Sequence, residues 1–180
     1  MSWRKNREKP NMEVLNKKLE YSLSGDDIMK ALNHKCNLIS YNEIINYDNI
    51  YDLLGPYKKC VILYMNSVNY GHWTCVYEYN NKIIFFDSYG NKPDTQGKFT
   101  TNFINKEFNQ NFPHLVKMMY NSGLPVEYNE YQLQRFKQGI NTCGRWVCVR
   151  LLYPNYSVEE FKNIFKNRSL SPDIIICLLT

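Results

Sequence analysis

Apolar and polar positions along the 180-residue chain change period in a definite order, and that order predicts its elements. Ser24-Gly25-Asp26-Asp27 ahead of Ile28, Met29 and Leu32 is a capping-box-like helix start. Residues 48–54 read as a second short helix, stopped by Gly55-Pro56. The run 60–65 is apolar throughout and of strand length, as expected of a central strand. Residues 72–79 and 82–87 are β-branched and aromatic, separated only by Asn80-Asn81. That pair tolerates the positive φ angles of a tight hairpin turn.

A polar loop after residue 89 leads into a helical stretch over 103–121, which Pro113 must break or restart. Residues 125–133 read as a further strand. The segment 143–152 is strongly apolar and of helix length. Ser157-Val158-Glu159-Glu160 opens another helix, and Ser171-Pro172-Asp173 a last one, with proline at its first helical position. No internal repeat is present, which argues against a solenoid. The pattern predicts an α+β domain with a mixed or antiparallel central sheet packed by helices.

Composition bounds the class further. With 44% hydrophobic and 22% charged residues the chain matches globular proteins, not disordered or fibrous ones. No apolar run approaches the roughly 18 residues of a membrane span. The basic start has no apolar stretch behind it, so a secretory signal is not expected and a soluble intracellular domain is. Net charge is +5, and the first ten residues hold +3 of it through Arg4, Lys5, Arg7 and Lys9 against Glu8. Residues 1–12 therefore read as a basic, flexible arm ahead of a single domain over 13–180. The arm reads first as solvated chain and second as a salt-dependent phosphate contact with DNA. Asparagine occurs 23 times and alanine once, which suggests an A/T-rich genome.

The hairpin carries a geometric consequence. With a two-residue turn at Asn80-Asn81, Tyr79 pairs with Lys82, Thr74 faces Asp87 and His72 faces Tyr89. His72 and Asp87 then lie on one face as diagonal neighbours, roughly 5–8 Å apart at Cβ. A one-residue slip would separate them onto opposite faces. Taken singly, His72 reads as a partly buried structural histidine beside Trp73, and Asp87 as a turn former at a strand end. The pair on one face is stronger evidence than either.

Six cysteines are present, without a CxxC pair or zinc-knuckle spacing, so reduced thiols and no metal are expected. Cys143 differs from the others. It stands at the predicted start of the apolar helix, where free N–H groups and the helix dipole favour a thiolate, the attacking form of cysteine. Gly144 lacks a Cβ that would keep a substrate carbonyl from the backbone. Gln138, five residues before Cys143, is placed to donate to an oxyanion. Cys148 lies within the helix, Cys75 on the strand face away from His72, and Cys60 and Cys177 in apolar runs. Cys36, near His34, is the remaining competitor and has no carboxylate at a comparable spacing.

Gly71-His72-Trp73, then Ile83 to Asp87-Ser88, then Gln138 and Cys143-Gly144, in that order, resembles the adenovirus-protease-like cysteine proteases. That clan also contains the SUMO-specific proteases. The resemblance covers about residues 60–152. It implies a papain-like cysteine protease fold of the adenain/SUMO-protease type, with the nucleophile at the N-terminus of a central helix. It implies His72 as general base and acid, Asp87 as its orienter, Cys143 as nucleophile and Gln138 as oxyanion donor, with Gln134 and Gln132 as alternatives. Trp73 would support the site by packing. Within the clan, compact size and A/T-rich composition favour a viral or virophage (Mavirus-like) capsid-maturation protease. The expected substrates are then viral capsid and structural polyproteins, cut next to small residues such as Gly-Gly. The expected protein is a cofactor-free monomer, without membrane contact, in the virion and the infected cell's cytoplasm. The rival readings are a ubiquitin-like-protein deconjugase with the same triad, an acyltransferase on the same scaffold, and a non-catalytic protein binding DNA or capsid.

Overall fold

Five strands form one sheet in chain order: β1 (Asn37–Ser40), β2 (Lys59–Ser67), β3 (Tyr70–Tyr79), β4 (Lys82–Phe86) and β5 (Val126–Tyr128). The computed structural model describes residues 11–180. The central strands β2, β3 and β4 are antiparallel, and β1 and β5 add to the two edges in parallel. The sheet is therefore mixed, and the chain is α+β. Cys60 to Met65 are all buried, because a strand apolar on both faces is covered on both.

The helices divide between the two faces. On one lie α1 (Met12–Glu20), α2 (Gly25–Ala31), α6 (Cys143–Leu152), α7 (Val158–Phe165) and α8 (Pro172–Leu179), around Val61, Leu63, Cys75, Tyr77 and Phe86. On the other lie a 3-10 turn over Tyr41–Asn46, α3 (Ile50–Leu54) and α5 (His114–Tyr120), against Ile62, Tyr64, Val76 and Phe85. The short α4 (Asn102–Glu107) precedes α5. The odd and even residues of β2 and β3 go to opposite cores, as the two-residue period of a strand requires. Helix α6 is buried from Cys143 to Leu151, the property of a helix enclosed on all sides.

The hairpin forms in the predicted register. Asn80 and Asn81 take φ of 49° and 57°, and Tyr79 pairs with Lys82. Pro113 divides the stretch 103–121 into α4 and α5, and itself stands at the start of α5. The capping box at Ser24 is complete, with Ser24 and Asp27 bonding each other's backbone N–H.

Other expectations change. The strand expected over 125–133 ends at Tyr128, because the next residue, Asn129, uses its side-chain amide in place of a ladder. Helix α1 was not expected; it starts at Met12, and the Asn11 side chain caps it by accepting from the Glu13 and Val14 N–H groups. The four-residue β1 was also not expected, and it exists by pairing with β2. Arg4, Lys5, Arg7 and Lys9 lie outside the described residues. Among those described, no helix is long and apolar enough to cross a membrane, and no group of three or more His, Cys, Asp or Glu side chains is arranged to hold a metal ion.

Candidate active site

His72 enters β3 two residues after its start, opposite Tyr64 of β2. The glycine before it is required: a Cβ on Gly71 would fall 1.9 Å from the Tyr64 carbonyl oxygen. His72 and Trp73 then point to opposite sides of the sheet. Trp73 goes to the α6 side, where its indole Nε1 donates to the Leu23 carbonyl at 2.9 Å. His72 goes toward the end of β4, where Asp87 follows Phe86.

The His72 Nε2 and the Asp87 Oδ1 are 2.8 Å apart. Asp87 is completely buried, and His72 keeps 14% of its side chain exposed. Both carboxylate oxygens are occupied. Oδ1 also accepts from the Tyr89 N–H at 2.8 Å, and Oδ2 accepts from Gln96 Nε2 at 2.8 Å and from Asn91 Nδ2 at 3.2 Å. Burial alone would raise the Asp87 carboxyl. The His72 charge and hydrogen bond, with those from Gln96 and the Tyr89 N–H, outweigh it and hold the group below its ordinary value. Burial likewise pulls His72 down, but the charge and hydrogen bond of Asp87 and the contact with Cys143 overcome this and push it up to about 10.

Cys143 is the first residue of α6 and lines the same cleft as His72, close enough for its charge to act on the ring. Asp87 occupies Nε2, so Nδ1 is the ring nitrogen left for the sulfur. The residue before it does not cap the helix: Thr142 turns its hydroxyl to donate to Asp173 Oδ1 at 2.7 Å. The first-turn N–H groups of α6 are thus left without a side-chain acceptor, and an anion beside Cys143 is favoured there. Asp173, at the start of α8, also accepts from Trp146 Nε1 at 3.3 Å and from the Arg135 N–H at 3.0 Å. It pins the start of α6 to the preceding loop.

His72, Cys143, Tyr89, Gln96 and Gln134 line one cleft of about 130 Å³, walled further by Phe136. The Tyr89 ring stacks on His72 with centroids 4.7 Å apart, and Phe136 meets Tyr89 edge-on at 5.5 Å. A larger hollow of about 430 Å³, between the 41–46 turn, α3 and α5, is lined by none of His72, Asp87 and Cys143.

Two expectations change here. Gln138 is exposed and faces a separate hollow beside α1, because the turn at Gly139 (φ 82°) carries it outward. Its alternative Gln132 is also exposed, and bonds the Gln134 carbonyl. Gln134 is the glutamine in the cleft: Ser88 Oγ donates to its Oε1 at 2.7 Å, and its Nε2 donates to the Tyr89 hydroxyl at 3.0 Å and the Ile140 carbonyl at 3.2 Å. Gly144 has a packing role. A Cβ there would lie 3.0 Å from Leu23 Cβ and 3.3 Å from both Ile28 Cδ1 and Trp73 Cδ1, so the glycine lets α6 close on α2 and Trp73.

Sequence reasoning missed Gln96, Asn91 and Asn129, which hold Asp87, and Asp173, which holds the helix start. Each is a polar residue whose role depends on a partner that only the closed fold brings to it, which no local period or spacing marks, even for Asp173 in the first turn of α8. Arg145, beside Cys143, points away from the cleft: its Nε donates to the Lys18 carbonyl at 3.2 Å and its Nη1 to Thr180 Oγ1 at 3.0 Å, tying α6 to α1 and α8. All six cysteines are free.

Fold and site define an α+β chain in which a buried His–carboxylate pair meets a cysteine at the start of a central helix. The chain matches no family model. It is 35% identical over 173 residues to the uncharacterized protein V9 of Sputnik virophage, covering 91% of this chain and 99% of that one. The chain belongs to the family of that virophage protein. Among solved structures it is distantly similar to ChlaDub1 from Chlamydia trachomatis, with a TM-score of 0.40 and 15% identity over 94% of this chain and 87% of that one. It is similar at the same distance to the SUMO protease Ulp1, with a TM-score of 0.38 and 13% identity over 96% of this chain and 75% of that one.

Proposed function

We propose that the chain is a cysteine endopeptidase that processes viral capsid and structural proteins during particle maturation. The observation that carries the reading is His72 bonded to the buried Asp87 at 2.8 Å and lining one cleft with Cys143 at the start of α6. Kinship with a virophage protein supports a viral setting.

The chemistry follows from the atoms. The Cys143 sulfur attacks the scissile carbonyl carbon as a thiolate, with His72 holding the proton on its ring. The oxyanion is received by the free N–H groups at the start of α6 and by the Gln134 amide, which turns from Tyr89 and Ile140 to meet it. His72 gives its proton to the leaving amine, and the C–N bond breaks. Water, deprotonated by His72, then attacks the thioester carbonyl, the C–S bond breaks to release the acid, and the thiolate with protonated His72 is restored. Asp87 keeps the imidazole aimed throughout and stabilises its charged form each time it holds the proton. A cleft of about 130 Å³ walled by Tyr89 and Phe136 suits residues without bulk at the reacting carbonyl, such as Gly-Gly.

The test is cleavage of co-expressed viral capsid proteins and of a Gly-Gly-containing peptide library, by wild type, Cys143→Ala and His72→Ala. Capsid cuts lost in both variants support the proposal. Cuts confined to ubiquitin-like C-termini would move the assignment to a deconjugase. Transfer of the acyl group to Lys or Ser instead of water would make it an acyltransferase. Particle maturation unaffected by Cys143→Ala would leave a binding protein.

A further inference from the structure

Asp87 has one carboxylate oxygen committed to His72 and the Tyr89 N–H, and a second that does not touch the histidine. The second, Oδ2, is held chiefly by Gln96, whose Nε2 donates to it at 2.8 Å and also faces the Lys92 carbonyl at 3.2 Å. Both neighbours accept only, so the Gln96 amide can sit in a single orientation, nitrogen toward Asp87. Gln96 is 5% exposed and opens the 3-10 turn Gln96–Phe99 at the edge of the cleft. Its other end costs stability: Oε1 is buried and has no donor. An apolar side chain of the same length would fill the space without that cost. The amide is therefore worth having only for its N–H.

We infer that Gln96 is a positioning residue of the active site, whose side-chain N–H locks the Asp87 carboxylate in the rotation that presents Oδ1 to His72. The loop that carries it is itself anchored. Asp94, two residues before, accepts from the Tyr41 and Tyr64 hydroxyls at 2.7 and 2.9 Å and from the Val116 N–H at 2.7 Å. The sheet, the 41–46 turn and α5 thus fix the height at which Gln96 meets Asp87. Without Gln96, Oδ2 retains only the longer Asn91 contact, so the carboxylate is held less firmly and takes up a proton more readily.

The titratable groups facing Asp87 are His72 from β3, Tyr89 next along the chain and, beyond His72, Cys143 from α6. Lys92 sends its ammonium to Glu130 at 3.1 Å and not to Asp87. The inference rests on the protease reading for its role in turnover, but its test has a readout of its own. The rate of Cys143 alkylation by iodoacetamide, located by mass spectrometry, needs no substrate and reports the state of the His72–Asp87 pair.

Gln96→Met and Gln96→Glu are compared with wild type from pH 4 to 9, with thermal unfolding recorded for each. Gln96→Met is expected to lower kcat and the alkylation rate on the order of tenfold with KM little changed, the worth of one hydrogen bond to a charged group. Its acid limb should move to higher pH, since Asp87 loses a donor to its charged form. Gln96→Glu should retain most function at the acid end, where a neutral carboxyl still donates to Oδ2. It should lose function progressively as pH rises and two carboxylates face each other. Alkylation and turnover ratios to wild type that stay flat with pH in both variants would overturn the assignment and leave Gln96 a packing residue. If wild type cuts no peptide yet Cys143 alkylation follows the expected pH pattern, the protease reading fails and the Gln96 assignment stands.

Discussion

Asn129 grips the main chain of Asp87 from both sides: its Oδ1 accepts the Asp87 N–H at 3.0 Å and its Nδ2 donates to the Asp87 carbonyl at 2.6 Å. β4 ends at Phe86, so no further strand residue is available to pair with Asp87. One side chain therefore does the work of a neighbouring strand at the point where Asp87 leaves the sheet. Asn129→Ala would strand two buried backbone groups, at roughly 1–3 kcal/mol each. Urea unfolding should show a loss on the order of 2–4 kcal/mol, with alkylation of Cys143 slowed even where the variant is fully folded. A loss under about 0.5 kcal/mol, the range of ordinary surface substitutions, would mean that water replaces the amide.

The two glutamines should separate cleanly. Gln134→Ala is expected to reduce kcat by roughly 10²–10³-fold, the effect of losing one oxyanion donor. Gln138→Ala, on the exposed turn, should leave kcat within about twofold, as surface changes distant from a site do. The reverse order, measured on one cleavable peptide, would return the oxyanion role to the glutamine nearer in sequence.

The charge state of the pair sets a pH window for stability. His72 is raised from 6.5 to about 10, so its contribution is complete below pH 6.5, falls as pH climbs, and is gone above about 10. Asp87 is lowered from 3.8, so its contribution is complete above that pH and is lost as pH falls through its folded value. The advantage of wild type over Asp87→Asn in thermal unfolding should therefore be greatest between about pH 4 and 6.5. An advantage that grows toward pH 9 would contradict a protonated, ion-paired His72.

Gly144→Ala tests the packing of the helix that begins at Cys143. The added methyl meets Leu23 Cβ at 3.0 Å, a backbone-adjacent atom that cannot swing aside. Overpacking of this kind costs about 1–3 kcal/mol, and here it would tilt the start of α6. The expected result is a lower unfolding midpoint together with slower Cys143 alkylation. An unchanged midpoint would mean that α2 gives way without consequence.

The basic segment is tested by deleting residues 1–10. Retention on duplex DNA at low salt should weaken while peptide cleavage persists, because the deletion removes +3 of charge and no cleft residue. Unchanged retention would exclude Arg4, Lys5, Arg7 and Lys9 as the contact.

What could be read from the chain alone was whatever repeats with a local period or sits beside a strong punctuation mark. Asn80-Asn81 sets the turn, the turn sets the register, and the register alone places His72 and Asp87 on one face. The apolar run from Cys143 reads as a buried helix, and its first residue follows. These depend on contacts a few residues apart, which backbone sterics and side-chain alternation determine. Gln96, Asn129 and Asp173 depend on partners 9, 42 and 31 residues away. No local pattern marks such partners, since any polar residue in a loop looks the same until the sheet and helices close around it. The choice between Gln134 and Gln138 was of the same kind. The sequence reading put the nearer one first, and only the closed fold shows Gln138 exposed at the Gly139 turn and Gln134 in the cleft, held by Ser88.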